Sequence, residues 1–359
     1  MTKRVFNFYP GPATLPLPAL KKAQEEMLDF AGTGMSVMEI SHRSDEWEQV
    51  MNEAKDLVRN LMGVPDDYAI MWLQGGASTQ FLMTAVNLQV AGKPMEYINT
   101  GGWSSKAIKE AKLYGDVRVI ASSEADKFNH IPKEYTMGKD AAFLHITSNN
   151  TLYGTEWQEF PNTPDEVPLV CDMSSDLMAR KVDVKKFGAI YAGAQKNLGP
   201  AGVTLVLARE DLLERVPEKT PTMLKWKTHS KDSMFNTPPV FAIYMSKLCL
   251  EYWKDFGIER IEKQNREKAK LLYDVIDGSD GFYKGHSTKD SRSLMNVTFT
   301  MANDELENKV VEEGAKRDLI GLKGHRSVGG MRASIYNAMP IEGVKALADF
   351  LIEFKEKHQ

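Results

Sequence analysis

Through the first two-thirds of this 359-residue chain, apolar runs of strand length alternate with stretches whose apolar residues recur at helical spacing. That alternation constrains the fold more than any other feature. A helix between two strands returns the chain to the same end of the sheet, so the strands must run mainly parallel with helices covering them. The spacing predicts strands at Ala69–Leu73, Tyr97–Asn99, Val117–Ile120, Ala141–Ile146, Pro168–Asp172, Ala189–Ala192 and Val203–Ala208. Between them it predicts helices at Ser78–Val90 and Ser104–Tyr114. An earlier helix spans Asp45–Met62, with Ser44 as N-cap, Asp45 and Glu46 at its positive end and Gly63 as its stop.

Two longer helical patterns, Pro239–Phe256 and Ile258–Ile276, lead to a turn-rich break, Asp277-Gly278-Ser279-Asp280-Gly281. Beyond it a strand at Leu294–Thr300, a helix at Asp304–Arg317, a strand at Met331–Tyr336 and a helix at Ile341–Lys355 predict a further α/β unit. The fold class is therefore α/β. A large domain over residues 16–259 holds the mainly parallel sheet, and a smaller C-terminal α/β domain covers 260–359, with residues 1–15 packing near it.

Charge excludes some functions. Forty-five Lys and Arg against forty-nine Asp and Glu give a net charge of −4, so no global field would draw the chain to nucleic acid or a membrane. Tyr68–Gly92 lacks charged residues, but Gln74, Asn87, Gln89 and the glycines make it too polar to span a bilayer. Pro10, Pro12, Pro16 and Pro18 interrupt the N-terminus, which does not read as a targeting segment. Two cysteines, Cys171 and Cys249, fit reduced thiols in a cytoplasmic protein.

In an open parallel sheet, ligands bind beyond the carboxyl ends of the strands, so the residues that follow each strand matter most. After Leu73 comes Gln74-Gly75-Gly76-Ala77-Ser78-Thr79, a glycine turn into a helix whose first N–H groups suit a phosphate. The plainer alternative makes Ser78 an N-cap. No nucleotide P-loop or dinucleotide fingerprint occurs. After Asn99 comes Thr100-Gly101-Gly102-Trp103-Ser104, where Trp103 offers a flat face to a planar ring. Asp172 ends an apolar strand, and a buried carboxylate there needs a partner. Lys196, twenty-four residues later, follows another apolar strand among small residues, where a desolvated amine can form a Schiff base. A phosphate cup, a stacking ring, a buried aspartate and a framed lysine together match the needs of pyridoxal phosphate, and no metal site is expected.

With these residues in view, the chain resembles the phosphoserine aminotransferases, class-V, fold-type-I pyridoxal-phosphate enzymes, over essentially its whole length. The matching segments are Asn7-Phe8-Tyr9-Pro10-Gly11-Pro12-Ala13, Ser41-His42-Arg43-Ser44, Gly101-Gly102-Trp103-Ser104, Cys171-Asp172-Met173-Ser174-Ser175, Tyr191-Ala192-Gly193-Ala194-Gln195-Lys196-Asn197, Gly324-His325-Arg326 and Gly329-Gly330-Met331-Arg332-Ala333-Ser334. The resemblance implies that Lys196 carries the cofactor, Asp172 pairs with its ring nitrogen, Trp103 stacks on the ring and Thr151 bonds the ring hydroxyl. Ala77, Ser78 and Gln195 would hold its phosphate, joined by Asn236 and Thr237 of the partner subunit in a homodimer with shared active sites. Some relatives carry Arg where this chain has Ser78. Arg332 would take the substrate α-carboxylate, while His42, Arg43 and, across the dimer, His325 and Arg326 would receive the distal phosphate or carboxylate.

The implied activity is a ping-pong transfer between glutamate and 3-phosphohydroxypyruvate, giving 2-oxoglutarate and phosphoserine for serine biosynthesis. 4-Phosphohydroxythreonine, in pyridoxine biosynthesis, is a further substrate of some relatives. The rival readings are an alanine– or serine–glyoxylate aminotransferase, a cysteine desulfurase, and a ligand-binding relative without turnover. A desulfurase needs a mobile catalytic cysteine, whereas Cys171 sits on an apolar strand.

Overall fold

In the computed structural model, residues 4–326 and 328–359 are described. The N-terminal part runs β1 (Phe6–Asn7), α1 (Leu17–Glu25), α2 (Asp45–Met62), β2 (Tyr68–Leu73), α3 (Gly76–Leu88), β3 (Met95–Asn99), α4 (Gly102–Ala111) and β4 (Val117–Ser122). Next come β5 (Phe143–Thr147), the small hairpin β6 (Asn149–Asn150) and β7 (Thr155–Glu156), then β8 (Leu169–Asp172), β9 (Ala189–Gly193) and β10 (Thr204–Arg209). Helices α5 (Trp226–His229), α6 (Val240–Phe256) and α7 (Ile258–Asp277) lead to β11 (Lys284–Gly285), β12 (Asn296–Thr300), α8 (Asp304–Ala315), β13 (Leu319–Ile320), β14 (Met331–Ser334) and α9 (Ile341–His358).

Seven strands form the central sheet in the order β2-β10-β9-β8-β5-β3-β4. Only β10 is reversed, antiparallel to both β2 and β9, while β9, β8, β5, β3 and β4 pair in parallel. The mainly parallel sheet expected from the alternation is present. Strands β2, β3, β5, β8 and β9 are buried along their whole length, which explains their apolar runs: helices cover both faces. Helices α2 and α6 pack together over one face, and α3 and α4 over the other.

Local signals set the helix ends. In α2 the Ser44 hydroxyl accepts the Trp47 amide at 3.4 Å, and Gly63 closes the helix at φ 64°. Helices α3 and α4 each begin two residues earlier than the spacing predicts, because Gly75 (φ 91°) and Gly101 (φ 152°) cap them in conformations open to glycine. Helix α1 was not predicted at all. Its Pro18 lies in the first turn, where a missing N–H costs nothing, so this proline helps start a helix instead of breaking one.

A separate core gathers α7, α9, β12 and β14. Phe8 is buried in it, and β1 pairs in parallel with β13, so the N-terminal strand lies against residues more than 300 positions away. Among the described residues no helix is long and apolar enough to cross a membrane.

Candidate active site

Because β10 alone is reversed, the carboxyl ends of β2, β3, β5, β8 and β9 all meet one edge of the sheet. The segments after them therefore converge: Gln74–Ser78, Thr100–Trp103, Ser148–Thr151, Asp172–Ser175 and Ala194–Lys196. Lys196 lies on the turn that joins β9 to its antiparallel neighbour β10, a turn closed by the Ala194 amide donating to the Val203 carbonyl at 3.0 Å.

Lys196 is half-buried, and its Nζ donates to Thr151 Oγ1 at 2.7 Å. The same nitrogen stands 5.2 Å from the centre of the Trp103 ring. Desolvation pulls the Lys196 pKa down to about 8; Asp172 opposes this shift and Arg332 adds to it. The N-terminal strap closes over the lysine: Ala13 N–H donates to Gln195 O at 2.9 Å, and a Cβ on Gly11 would lie 3.2 Å from Lys196 Cγ. In the cofactor-free protein we expect cyanate to carbamylate Lys196 with a pH midpoint near 8, against about 10.4 for an ordinary lysine. Peptide mass spectrometry across pH 6–11 reads this directly, and a midpoint near 10.4 would contradict the depressed pKa.

Asp172 is 4% exposed at the end of β8. Burial pushes its carboxyl pKa up, against the Ser174 hydroxyl and amide, which donate to Oδ1 at 2.6 and 2.9 Å, and against the Lys196 charge. No arginine or lysine makes an ion pair with it among the described residues. Arg332, on β14, is also 4% exposed; its Nη1 reaches the Thr151 carbonyl at 3.5 Å, and its buried Nε has no partner. Burial lowers its pKa. A desolvated guanidinium with donors to spare suits a carboxylate.

At the head of α3, Gly75 is the cap, so Ser78 is the third helical residue and not the N-cap of the plainer alternative. The amides of Gly76, Ala77 and Ser78 are thus among the helix's unpaired first donors. Asn236 and Thr237 are exposed near this turn: Gln74 Nε2 donates to Thr237 O at 3.0 Å, and Asn236 lines a cavity of about 380 Å³ with Gly75 and Thr79.

Of the predicted residues, Lys196, Gln195, Thr151, Trp103, Asp172 and Arg332 are brought together. His42, half-buried, and Arg43, exposed, sit on the turn before α2; no hydrogen bond or ion pair among the described residues joins them to the Lys196 group. His325 has its pKa lowered by burial and by the charges of Arg332, Arg326 and Lys106 of its own chain.

Two residues were missed. Lys106, three positions after Trp103 on α4, places Nζ 4.4 Å from the Trp103 ring; that helical spacing was the available signal. Asn150 is fully buried with both amide atoms unpartnered, and the polar run Ser148-Asn149-Asn150-Thr151 after an apolar strand pointed to it. Its amide lies against Gly101, where a Cβ would come within 2.1 Å of Nδ2. Gly101→Ala should therefore destabilise the fold by on the order of 2 kcal/mol, lowering Tm by several degrees in a thermal melt. An unchanged Tm would show that Asn150 can move aside.

The site fits pyridoxal phosphate on the evidence of its own atoms. A buried carboxylate without a cationic ion-pair partner can accept from a ring N–H, a lysine of lowered pKa can form the covalent link, and unpaired amides can take the phosphate. The fold and this set of residues define an aminotransferase, and the chain belongs to the class-V aminotransferase family, whose model matches residues 5–347. It is 55% identical to the phosphoserine aminotransferase of Geobacillus kaustophilus (strain HTA426), with 99% of each chain covered. It is also similar to the solved phosphoserine aminotransferase of Bacillus circulans subsp. alkalophilus (TM-score 0.97, 49% identity, 100% of both chains). The PLP-bound phosphoserine aminotransferase of Trichomonas vaginalis matches at TM-score 0.92 and 36% identity, over 97% of this chain and 100% of that one.

Proposed function

We propose that the chain is a phosphoserine aminotransferase, moving an amino group reversibly between glutamate and 3-phosphohydroxypyruvate and acting in serine biosynthesis. The observation that carries the reading is the meeting of Lys196, Asp172, Trp103 and Thr151 beside an almost fully buried Arg332. Pyridoxal phosphate is the cofactor, and it supplies an electron sink for the bonds at the substrate Cα.

The chain's own groups do the rest. Lys196 would hold the cofactor through Nζ and, when that amine is free, would take a proton from the substrate Cα as base and return one as acid. An amine with a pKa near 8 is suited to both directions close to neutral pH. Asp172 would keep the ring nitrogen protonated, Trp103 would cover the ring face and Thr151 would bond the ring hydroxyl. Ala77, Ser78 and Gln195 would hold the phosphate from one chain, joined by Asn236 and Thr237 from the partner subunit of a homodimer. Ser78 supplies an amide and a hydroxyl where some relatives supply a guanidinium.

Arg332 binds the α-carboxylate shared by all four substrates. His42 and Arg43, with His325 and Arg326 across the dimer, take the distal phosphate or carboxylate. A pocket of cations needs a dianionic substrate, so O-phosphoserine should exceed serine and alanine as amino donor to 2-oxoglutarate by at least about 10²-fold in kcat/KM. Equal use of alanine, or preference for glyoxylate as acceptor, would favour the glyoxylate-type reading instead. 4-Phosphohydroxythreonine carries the same two anionic groups and belongs in that comparison.

A further inference from the structure

Lys268, in the middle of α7, is fully buried. Among the described residues no carboxylate is set against it; its Nζ lies instead 2.7 Å from Tyr336 O, 3.0 Å from Ile335 O, 3.2 Å from Met339 O and 3.5 Å from Asn337 O. All four carbonyls belong to the one short loop between β14 and α9. A cation neutralised only by carbonyl dipoles is the arrangement that binds a dehydrated alkali ion. Burial pulls the Lys268 pKa down to about 7. Every facing atom is an acceptor, however, so the three-donor ammonium satisfies the cage, whereas a neutral amine would turn its lone pair on a carbonyl.

The caged loop touches the Lys196 segment from two directions. Asn337 N–H donates to Asn197 Oδ1 at 2.9 Å, next to Lys196, and the Asn197 amide in turn donates to Leu177 O at 2.7 Å. Asn265, one turn before Lys268 on α7, fixes the Asn337 side chain at 2.7 Å. Tyr336 hydroxyl donates to Pro10 O at 2.7 Å, and the following Gly11 packs on the Lys196 side chain. The same loop directly follows the strand that carries Arg332.

We propose that Lys268 is a positioning residue, a tethered internal cation occupying an alkali-ion-type carbonyl cage, which holds the Lys196 segment and Arg332 in fixed relation through the loop it closes. This rests on the roles given to Lys196 and Arg332 above. It touches neither substrate nor cofactor.

The test compares wild type, Lys268→Met, which fills the volume without charge, and Lys268→Ala, which opens the cage. Each holoenzyme is measured in potassium, rubidium and tetramethylammonium chloride at equal ionic strength, none of which carries an amine that could react with the cofactor. Lys268→Met should lose on the order of tenfold in kcat and several degrees of Tm, because four buried carbonyls lose their donor. Lys268→Ala should lose as much in tetramethylammonium, which is too large for the cage, and recover most of its Tm and kcat in potassium or rubidium. Wild type should be indifferent to the cation.

Lys268→Met with wild-type Tm and kcat would overturn the proposal, as would Lys268→Ala behaving alike in all three salts. If Lys268→Ala does not fold without a small cation, equal refolding yields in potassium and tetramethylammonium would overturn it. Cation rescue of Tm in the cofactor-free protein, without rescue of kcat in the holoenzyme, would refute the link to Lys196. Absence of transamination by wild type would instead refute the functional reading and leave the cage standing.

Discussion

Lys196→Ala should abolish turnover and remove the cofactor's borohydride-sensitive visible absorption, while the protein stays folded. The kinetic loss is at least about 10⁴-fold, because the variant lacks both the covalent attachment and the proton carrier, and proton transfer alone contributes about 10²–10⁴-fold. Folding should survive because this amine, which meets Thr151 Oγ1 where Lys268 meets four carbonyls, is a cost to the fold and not a support. Its pKa is lowered from 10.5 to about 8, so between those pH values the unfolded chain binds the proton and the folded chain does not. Stability therefore rises with pH through that window and is penalised below it. In the cofactor-free state, Lys196→Ala should melt at or above the wild-type Tm near pH 7. Normal activity would overturn the assignment of Lys196, and a collapsed Tm would show that its bond to Thr151 supports the fold.

Arg332→Ala should impair both half-reactions together. Both amino donors carry the α-carboxylate that this guanidinium is proposed to receive, and truncating one partner of a buried charge pair costs about 2–5 kcal/mol, or roughly 30- to 5000-fold in kcat/KM. The KM for glutamate and for phosphoserine should rise by similar factors. Arg332→Lys should recover part of the loss, since a point charge lacks the fork that binds both carboxylate oxygens. Loss confined to one substrate would place Arg332 at the distal group and not at the α-carboxylate.

Much of the site was legible because parallel topology turns a sequence question into a spatial one. Once Leu73, Asn99, Asp172 and Ala192 are read as strand ends, the residues after them must share one edge of the sheet, and Trp103, Asp172 and Lys196 do. Thr151 and Arg332 came only with the family resemblance. Thr151 follows a two-residue strand too short to leave a period, and Arg332 reaches the site from another core.

The rest was hidden for physical reasons. The pairing of β1 with β13 involves two residues on each side and no alternation, so nothing local announces that Gly11 will close over Lys196. Lys268 sits among lysines and glutamates of an amphipathic helix, and only the carbonyls of a distant loop distinguish it from a solvated neighbour. Helix α1 was masked by its own prolines.

One lysine-centred site is proposed to accept an amino group from glutamate and give it to a phosphorylated keto acid. The most direct measurement follows the cofactor spectrum of the purified holoenzyme in single half-reactions, adding glutamate, phosphoserine or alanine without any keto acid. Glutamate and phosphoserine should each shift the whole spectrum to the aminated form. 2-Oxoglutarate or 3-phosphohydroxypyruvate should each restore it, and alanine should leave it unchanged at the same concentration. A spectrum that responds to alanine as readily as to phosphoserine, or to neither glutamate nor phosphoserine, would contradict the account.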